Sequence, residues 1–191
     1  MGREFELKYR ATPEDLKILK ERYPHLQSIA METTYYDSPD GRLGDLHWTL
    51  RRRMENGRSV CTLKTPADGL NRNEWETECA DITDAIDALF LQGAPRQLLL
   101  LTAAGLVERC GARFTRLAGK IEIDGAVVEL ALDEGILLGG GRELPFTEVE
   151  VELKEGSEDV AIRFASALAA SMNLTPEPRS KVARARKLAD N

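Results

Sequence analysis

The sequence predicts an α+β fold: a closed antiparallel β-barrel with helices packed around it. Three observations carry this. About eight or nine stretches alternate polar and apolar residues with the period of a strand, and short turns join most of them, which favours antiparallel neighbours. Nearly all of these stretches carry charges at i and i+2 on one face. The helical segments have apolar stripes that need a sheet to cover.

Composition narrows the function classes. The 191 residues show no internal repeat and no linker, so residues 1–191 read as one domain, long enough to bury a sizeable core. A net charge of −6 speaks against non-specific nucleic-acid binding, which needs a basic surface. Cys61, Cys79 and Cys110 form neither a disulfide framework nor a zinc motif, and read as reduced thiols of a cytoplasmic protein. Two histidines, His25 and His47, are too few for a His-based zinc site. The chain opens directly on a charged strand rather than a signal peptide, and the apolar run around Leu98-Leu99-Leu100-Leu101 is too short to span a membrane.

In order along the chain, residues 3–10 alternate as a strand, with Glu4, Glu6 and Lys8 on one face and Phe5, Leu7 and Tyr9 on the other. Thr12 caps a helix that Pro13 opens and Pro24 stops, with Leu16, Leu19 and Tyr23 as its stripe. Residues 28–38 are extended and rich in Thr and Tyr, and Ser38-Pro39-Asp40-Gly41 turns the chain. Strands follow at 48–54 and 58–65, joined by the hairpin signal Asn56-Gly57. After a loop at 66–69 comes a strand at 71–80. Residues 83–104 are helical, interrupted at Gly93-Ala94-Pro95 and ended by Gly105. Strands return at 106–117, 120–124, 126–133 and 145–154, with a turn at Asp124-Gly125. Gly139-Gly140-Gly141 reads as a loop; without a Walker-type lysine or a following helix it is a poor phosphate cradle. Residues 157–172 form an amphipathic helix, and a segment with Pro176 and Pro178 leads into a last helix at 180–188.

The charged faces admit two arrangements. Either they look out to water around an apolar centre, or the barrel is inverted, with charges lining a lumen and apolar faces under the helices. The residue pattern leaves both open. In the inverted case the chemistry narrows. Glu4, Glu6, Glu148, Glu150 and Glu152 are hard oxygen donors suited to magnesium or manganese. Lys8, Arg51, Arg53, Lys64 and Arg109 are donors suited to phosphate oxygens.

These residues, taken together, resemble the CYTH-domain family, the triphosphate tunnel metalloenzymes. The likeness rests on the ExExK strand Glu4-Phe5-Glu6-Leu7-Lys8, then Tyr35-Tyr36-Asp37, Leu50-Arg51-Arg52-Arg53, Thr62-Leu63-Lys64 and Arg72-Asn73-Glu74-Trp75-Glu76. It continues through the strand bearing Arg109 and Arg113, through Val128-Glu129-Leu130 and Glu148-Val149-Glu150-Val151-Glu152, to Ser180-Lys181. One ExExK is weak evidence; the ordered set, spanning almost the whole chain, is specific. The resemblance implies a closed antiparallel eight-stranded β-barrel, a tunnel with a charged lumen, that binds a triphosphate with Mg2+ or Mn2+.

Residue by residue, it implies Glu4, Glu6 and Lys8 as the catalytic strand. Lys8, Arg51, Arg53, Lys64, Arg109, Arg113 and Lys181 would contact the substrate, with Arg113 sharing the parity of Arg109 and placed at the tunnel rim. Glu4, Glu6, Glu148, Glu150 and Glu152 would hold metal. Glu76, Glu129 and Asp133 would serve as lumen acids for a second metal or for steadying the bases. Arg52 faces the other way.

The family includes hydrolases of inorganic triphosphate and of thiamine triphosphate, and cyclases of ATP. The expectation is hydrolysis of inorganic triphosphate, because no nucleoside-recognition signature is evident. A class IV-type adenylate cyclase, a thiamine triphosphatase and a non-catalytic polyphosphate-binding module are the alternatives. The resemblance permits a homodimer, and implies neither a nucleic-acid nor a membrane partner.

Overall fold

The computed structural model describes residues 2–172 and 174–190. Eight strands form a ring: β1 (Gly2–Arg10), β2 (Gln27–Asp37), β3 (Thr49–Glu55), β4 (Arg58–Pro66), β5 (Asn71–Glu78), β6 (Val107–Ile123), β7 (Ala126–Gly139) and β8 (Arg142–Glu155). Their order is β1-β5-β4-β3-β2-β6-β7-β8, and β1 pairs with both β5 and β8, so the sheet closes on itself. Every ladder is antiparallel. A two-residue strand, β9 (Thr175–Pro176), is added to β1.

The helices are α1 (Pro13–Arg22), α2 (Arg42–Asp45), α3 (Ile82–Leu91), α4 (Gln97–Thr102), α5 (Glu158–Met172) and α6 (Lys181–Asp190). The start of α1 is fixed as the sequence predicts: the Thr12 hydroxyl accepts from Asp15 N while the Asp15 carboxylate accepts from Thr12 N, a reciprocal capping box. Asp81 caps α3 by accepting from Thr83 N at 2.7 Å.

The barrel is inverted. Phe5, Tyr9, Val128, Leu130, Val149 and Val151 turn outward and pack against α1 and α5 through Leu16, Leu19, Ala165 and Leu168. Leu50, Cys61, Leu63 and Trp75 turn outward on the other side and meet α3 and α4 through Ile86, Leu89 and Leu98. Leu50, Leu63, Leu89 and Leu98 are fully buried. Each such side chain contributes roughly 1.5–3 kcal/mol, so the helices stabilise the sheet from its outer face.

A third cluster lies on the inward face. Directly opposed residues of antiparallel strands share a face, and Met31 pairs with Phe114 as Tyr35 pairs with Arg51. Met31, Tyr35, Ala112, Phe114, Leu137 and Phe146 pack there around Ala185 of α6. Helix α6 thus lies across the end of the barrel where β2 finishes and the β7–β8 hairpin turns. Gly139 permits this: a Cβ there would sit 2.3 Å from the Ala185 carbonyl oxygen.

Several boundaries differ from the expectation. The strands at 106–117 and 120–124 are one strand, β6, because Gly119 keeps its place opposite Leu130 in the ladder. The missing side chain there makes room for Leu26, which a Cβ would approach to 2.9 Å. Gly139-Gly140-Gly141 is the tight β7–β8 hairpin rather than a loop, with Gly140 and Gly141 at φ of 58° and 73°. The turn after β2 continues into the short helix α2, whose Leu43 and Gly44 amides donate to the Asp37 carboxylate. Among the described residues no helix is long and apolar enough to cross a membrane.

Candidate active site

The inward charges enclose a cavity of about 980 Å³. Its acids include Glu4, Glu6, Glu74, Glu76, Glu150 and Glu152, and its bases include Lys8, Arg51, Arg53, Lys64, Arg116 and Lys181. The ladder register places them. Glu150 faces Lys8 and Glu152 faces Glu6 across β8 and β1, while Thr62 faces Arg51 and Glu76 across β3, β4 and β5. Each strand donates residues of one parity, so successive contributors sit two residues apart.

The charges are paired unequally. Lys64 Nζ lies 2.5 Å from Glu4 and 3.5 Å from Glu74, and Lys8 Nζ lies 3.2 Å from Glu6. Burial lowers the Lys8 pKa, but Glu6 and Glu150 outweigh it and hold the ammonium above its ordinary value. Arg51 is also held charged: burial opposes it, and Tyr35, Glu74 and Glu4 prevail. Its Nε is buried without a hydrogen-bond partner, a donor free for an anion.

Arg53 stands out. Its Nε donates to the Thr33 hydroxyl at 2.9 Å, and its guanidinium lies 5.7 Å from the Phe114 ring. The carboxylate paired with it, Glu55, is 3.8 Å away. Burial, then Arg51 and Arg116, pull its pKa down to about 10.

At the end covered by α6, Asp133, Glu148 and Glu150 form a buried trio whose oxygens lie within 4.8 Å of one another. Lys181 Nζ sits among them, at 2.8, 2.6 and 2.6 Å. Arg116 contacts Asp133 at 2.7 Å and also Glu150, and Arg184 contacts Glu148. Glu150 is held well below the usual carboxylate range, because Lys181 and Arg116 outweigh the burial that would raise it. Glu148 shifts upward, through burial first and the neighbouring Glu150 as well.

Of the residues expected at the site, Glu4, Glu6, Lys8, Arg51, Arg53, Lys64, Glu76, Glu150, Glu152 and Lys181 line the cavity. Asp133 and Glu148 lie fully buried behind Lys181. Glu129 shares the inward face with Glu152 but lies off the cavity, 3.5 Å from Lys154.

Two placements need correction. Arg109 does not reach the tunnel: it is exposed and donates to the carbonyls of Ser38 and Pro39 at 3.1 and 2.8 Å, bracing the loop after β2. Arg113 is also exposed, 3.4 Å from Glu143. Both have the outward parity of β6. The arginine that this strand turns inward is Arg116, absent from the expected set. Its signal was present, since Leu117, Ile121 and Ile123 mark the outward face and put Arg116 on the other. Arg184 and Lys154 were also missed. Arg52 faces outward as expected and donates to Ala80 O.

A family comparison bears on this geometry. The CYTH domain matches residues 2–185. The chain belongs to the CYTH family. Among curated relatives of this CYTH chain, an inorganic triphosphatase of Haemophilus influenzae is 28% identical over 96% of the chain and 54% of its own length. The chain therefore spans about half the length of that relative. Solved CYTH-like folds include HpAC1 of Hippeastrum, named as an adenylyl cyclase and reported with a dominant triphosphatase activity. It superposes with a TM-score of 0.66 at 17% identity over 98% of this chain and 96% of that one. The PH1819 protein of Pyrococcus horikoshii gives 0.65 at 21% identity, over 97% and 99%. These two likenesses are to the fold.

The CYTH family implies a divalent metal, and the donor set fits one. The acids gathered in and behind the cavity supply carboxylate oxygens, close enough in the Asp133–Glu148–Glu150 trio to share one ion.

Proposed function

We propose that this chain is a metal-dependent hydrolase of triphosphates, with inorganic triphosphate as its substrate and Mg2+ or Mn2+ as its metal. The observation that carries this is the charge-lined cavity of the barrel, in which Arg51 and Arg53 extend unsatisfied or weakly paired cations toward a space that Glu4, Glu6 and Glu152 also line. Such a chamber is costly to keep empty and is complementary to a polyanion carrying divalent ions. The H. influenzae relative, named an inorganic triphosphatase, supports the reading.

In this mechanism Lys8, Arg51, Arg53, Lys64 and Arg116 hold the phosphate chain and stabilise charge as the terminal bond breaks. Glu4, Glu6 and Glu152 would hold the metal, and Asp133, Glu148 and Glu150 would offer a second set of carboxylate oxygens. The metal, when bound, supplies neutralisation of phosphate oxygens and activation of the attacking water. Lys64 orients Glu4 through their 2.5 Å contact. The partial burial of these groups inside the closed sheet strengthens each of these interactions relative to open water. The three unpaired cysteines support a cytoplasmic setting.

A phosphate-release panel tests the proposal. Tripolyphosphate, ATP and thiamine triphosphate are each offered with Mg2+ or Mn2+. Fastest release from tripolyphosphate is expected. Formation of cyclic AMP and pyrophosphate from ATP, or metal-independent binding without turnover, overturns it.

A further inference from the structure

The acid trio at the α6 end already contains a cation, and that cation is covalently part of the chain. Lys181 Nζ lies 2.6–2.8 Å from an oxygen of each carboxylate, where a bound ion would make the same three contacts. The contact with Glu148 is an ion pair and not a directed hydrogen bond: its Oε2 is buried, lies 2.6 Å from Nζ and accepts no hydrogen bond. Glu148 itself is 0% exposed.

We infer that Lys181 occupies the metal position of the Asp133–Glu148–Glu150 trio as a tethered counter-cation, that a divalent ion enters by displacing it, and that the displaced ammonium then reaches the phosphate chain. The last step rests on the triphosphatase reading above; the displacement itself does not.

Charge balance gives the reason. Lys181, Arg116 and Arg184 neutralise the three carboxylates. A divalent ion added beside Lys181 leaves two uncompensated positive charges in a buried site. One that takes its place leaves a single positive charge, which an incoming polyanion cancels. The architecture permits the exchange. Lys181 is the first residue of α6, follows the Pro176-Glu177-Pro178 strap, and lines the cavity together with Ser180 and Val182. Its flexible four-carbon stem can swing from the trio into the chamber without moving the helix. Arg116 and Arg184 remain to hold the acids when it leaves. The consequence is an order: metal first, then a phosphate site completed by the lysine that the metal released.

The test uses the full, metal-free chain and needs no turnover. Free Mn2+ is followed by electron paramagnetic resonance for wild type, Lys181→Met and the Lys181→Met/Glu148→Gln pair. Lys181→Met is expected to bind Mn2+ about 10-fold or more tighter than wild type, and the second substitution to erase the gain. Equal or weaker binding by Lys181→Met, or a gain that survives Glu148→Gln, refutes the inference.

Because loss of Lys181 can unfold the trio, the wild type is also labelled by reductive methylation with and without Mn2+ and read by mass spectrometry. Lys181 should become several-fold more reactive with metal; unchanged protection overturns the displacement. A wild type that shows these metal effects but hydrolyses no triphosphate would refute the functional reading and leave this one standing.

Discussion

Arg53→Met should make the empty protein more stable and the enzyme worse. Arg53 is 6% exposed, and its pKa falls from the ordinary arginine value to about 10 because burial and two neighbouring arginines oppose its charge. At about 1.4 kcal/mol per unit, the charged form costs the folded state roughly 3 kcal/mol. Methionine keeps much of the length and adds no charge. It forfeits the bond to Thr33 and the contact with the Phe114 ring, together about 1–2 kcal/mol. The net is a gain of about 1–2 kcal/mol, a rise in Tm of roughly 2–8 °C for a chain of this size.

Triphosphate binding should weaken instead, because a charge-assisted bond of about 1.5–3 kcal/mol is lost, roughly 10- to 100-fold in kcat/KM. Thermal unfolding by circular dichroism, with and without tripolyphosphate, and phosphate release measure both sides. The sign with pH is a further check. The folded pKa lies below the unfolded one, so the cost is complete below about pH 10 and fades as pH rises from there toward the ordinary arginine value. The advantage of the variant should shrink over that window. A variant with lower Tm and unchanged kcat/KM would show that Arg53 is a structural anchor and not a held-open phosphate ligand.

Glu4→Gln should abolish turnover while tripolyphosphate still binds, and chelation of divalent ions should do the same to wild type; full activity in either case removes the metal role of β1. Arg109→Met should leave KM unchanged and lower Tm by a few degrees, since its contacts are the Ser38 and Pro39 carbonyls, and Arg113→Ala should change neither; a large KM effect from either would return that arginine to the tunnel. Glu177, held at about pKa 2 chiefly by its hydrogen bond from Arg179, stabilises the fold above its ordinary value of 4.5, and this contribution fades as pH falls from 4.5 toward 2. Glu177→Gln should therefore lower Tm at pH 7 and lose that difference near pH 2; a constant difference would point to packing instead.

What the sequence could and could not reveal follows from the length scale of each feature. Alternation within one strand is local, so Glu4 with Glu6, Arg51 with Arg53, and Glu148 with Glu150 appeared as shared faces. Which face turned inward needed the resemblance, because a charged face is ordinary when solvated. The β6 arginines show how local reading fails. Arg109, Arg113 and Arg116 differ in parity, and the bulge between Tyr35 and Tyr36 shifts the register opposite Cys110 and Glu108. A single frame error exchanges the two faces of the strand. Partnerships are less accessible still. The contacts of Lys64 with Glu4 and of Lys181 with Asp133 join residues far apart in the chain, and they depend on the closure of the ring and on where α6 comes to rest. Nothing local in Arg184 distinguishes it from a surface helix residue.

The inverted barrel also explains why the charges are arranged in two different ways. A lumen of acids alone or bases alone could not fold, since each buried charge costs several kcal/mol unless compensated. Complete mutual pairing would fold well and bind nothing, since every donor would already be used. This chain divides the task by position. Around Lys181 the acids and bases neutralise each other closely, and α6 is anchored there. Toward Arg51 and Arg53 the pairing is loose: one guanidinium Nε has no acceptor, and the other arginine rests on a hydroxyl and an aromatic ring that leave most of its N–H groups free. The stability lost at the loose end is supplied by the apolar outer face, where Leu50, Leu63, Val128, Val149 and their helical partners are removed from water. Binding free energy for a polyanion is thus stored as incomplete neutralisation, on a scaffold whose folding depends on a different set of residues.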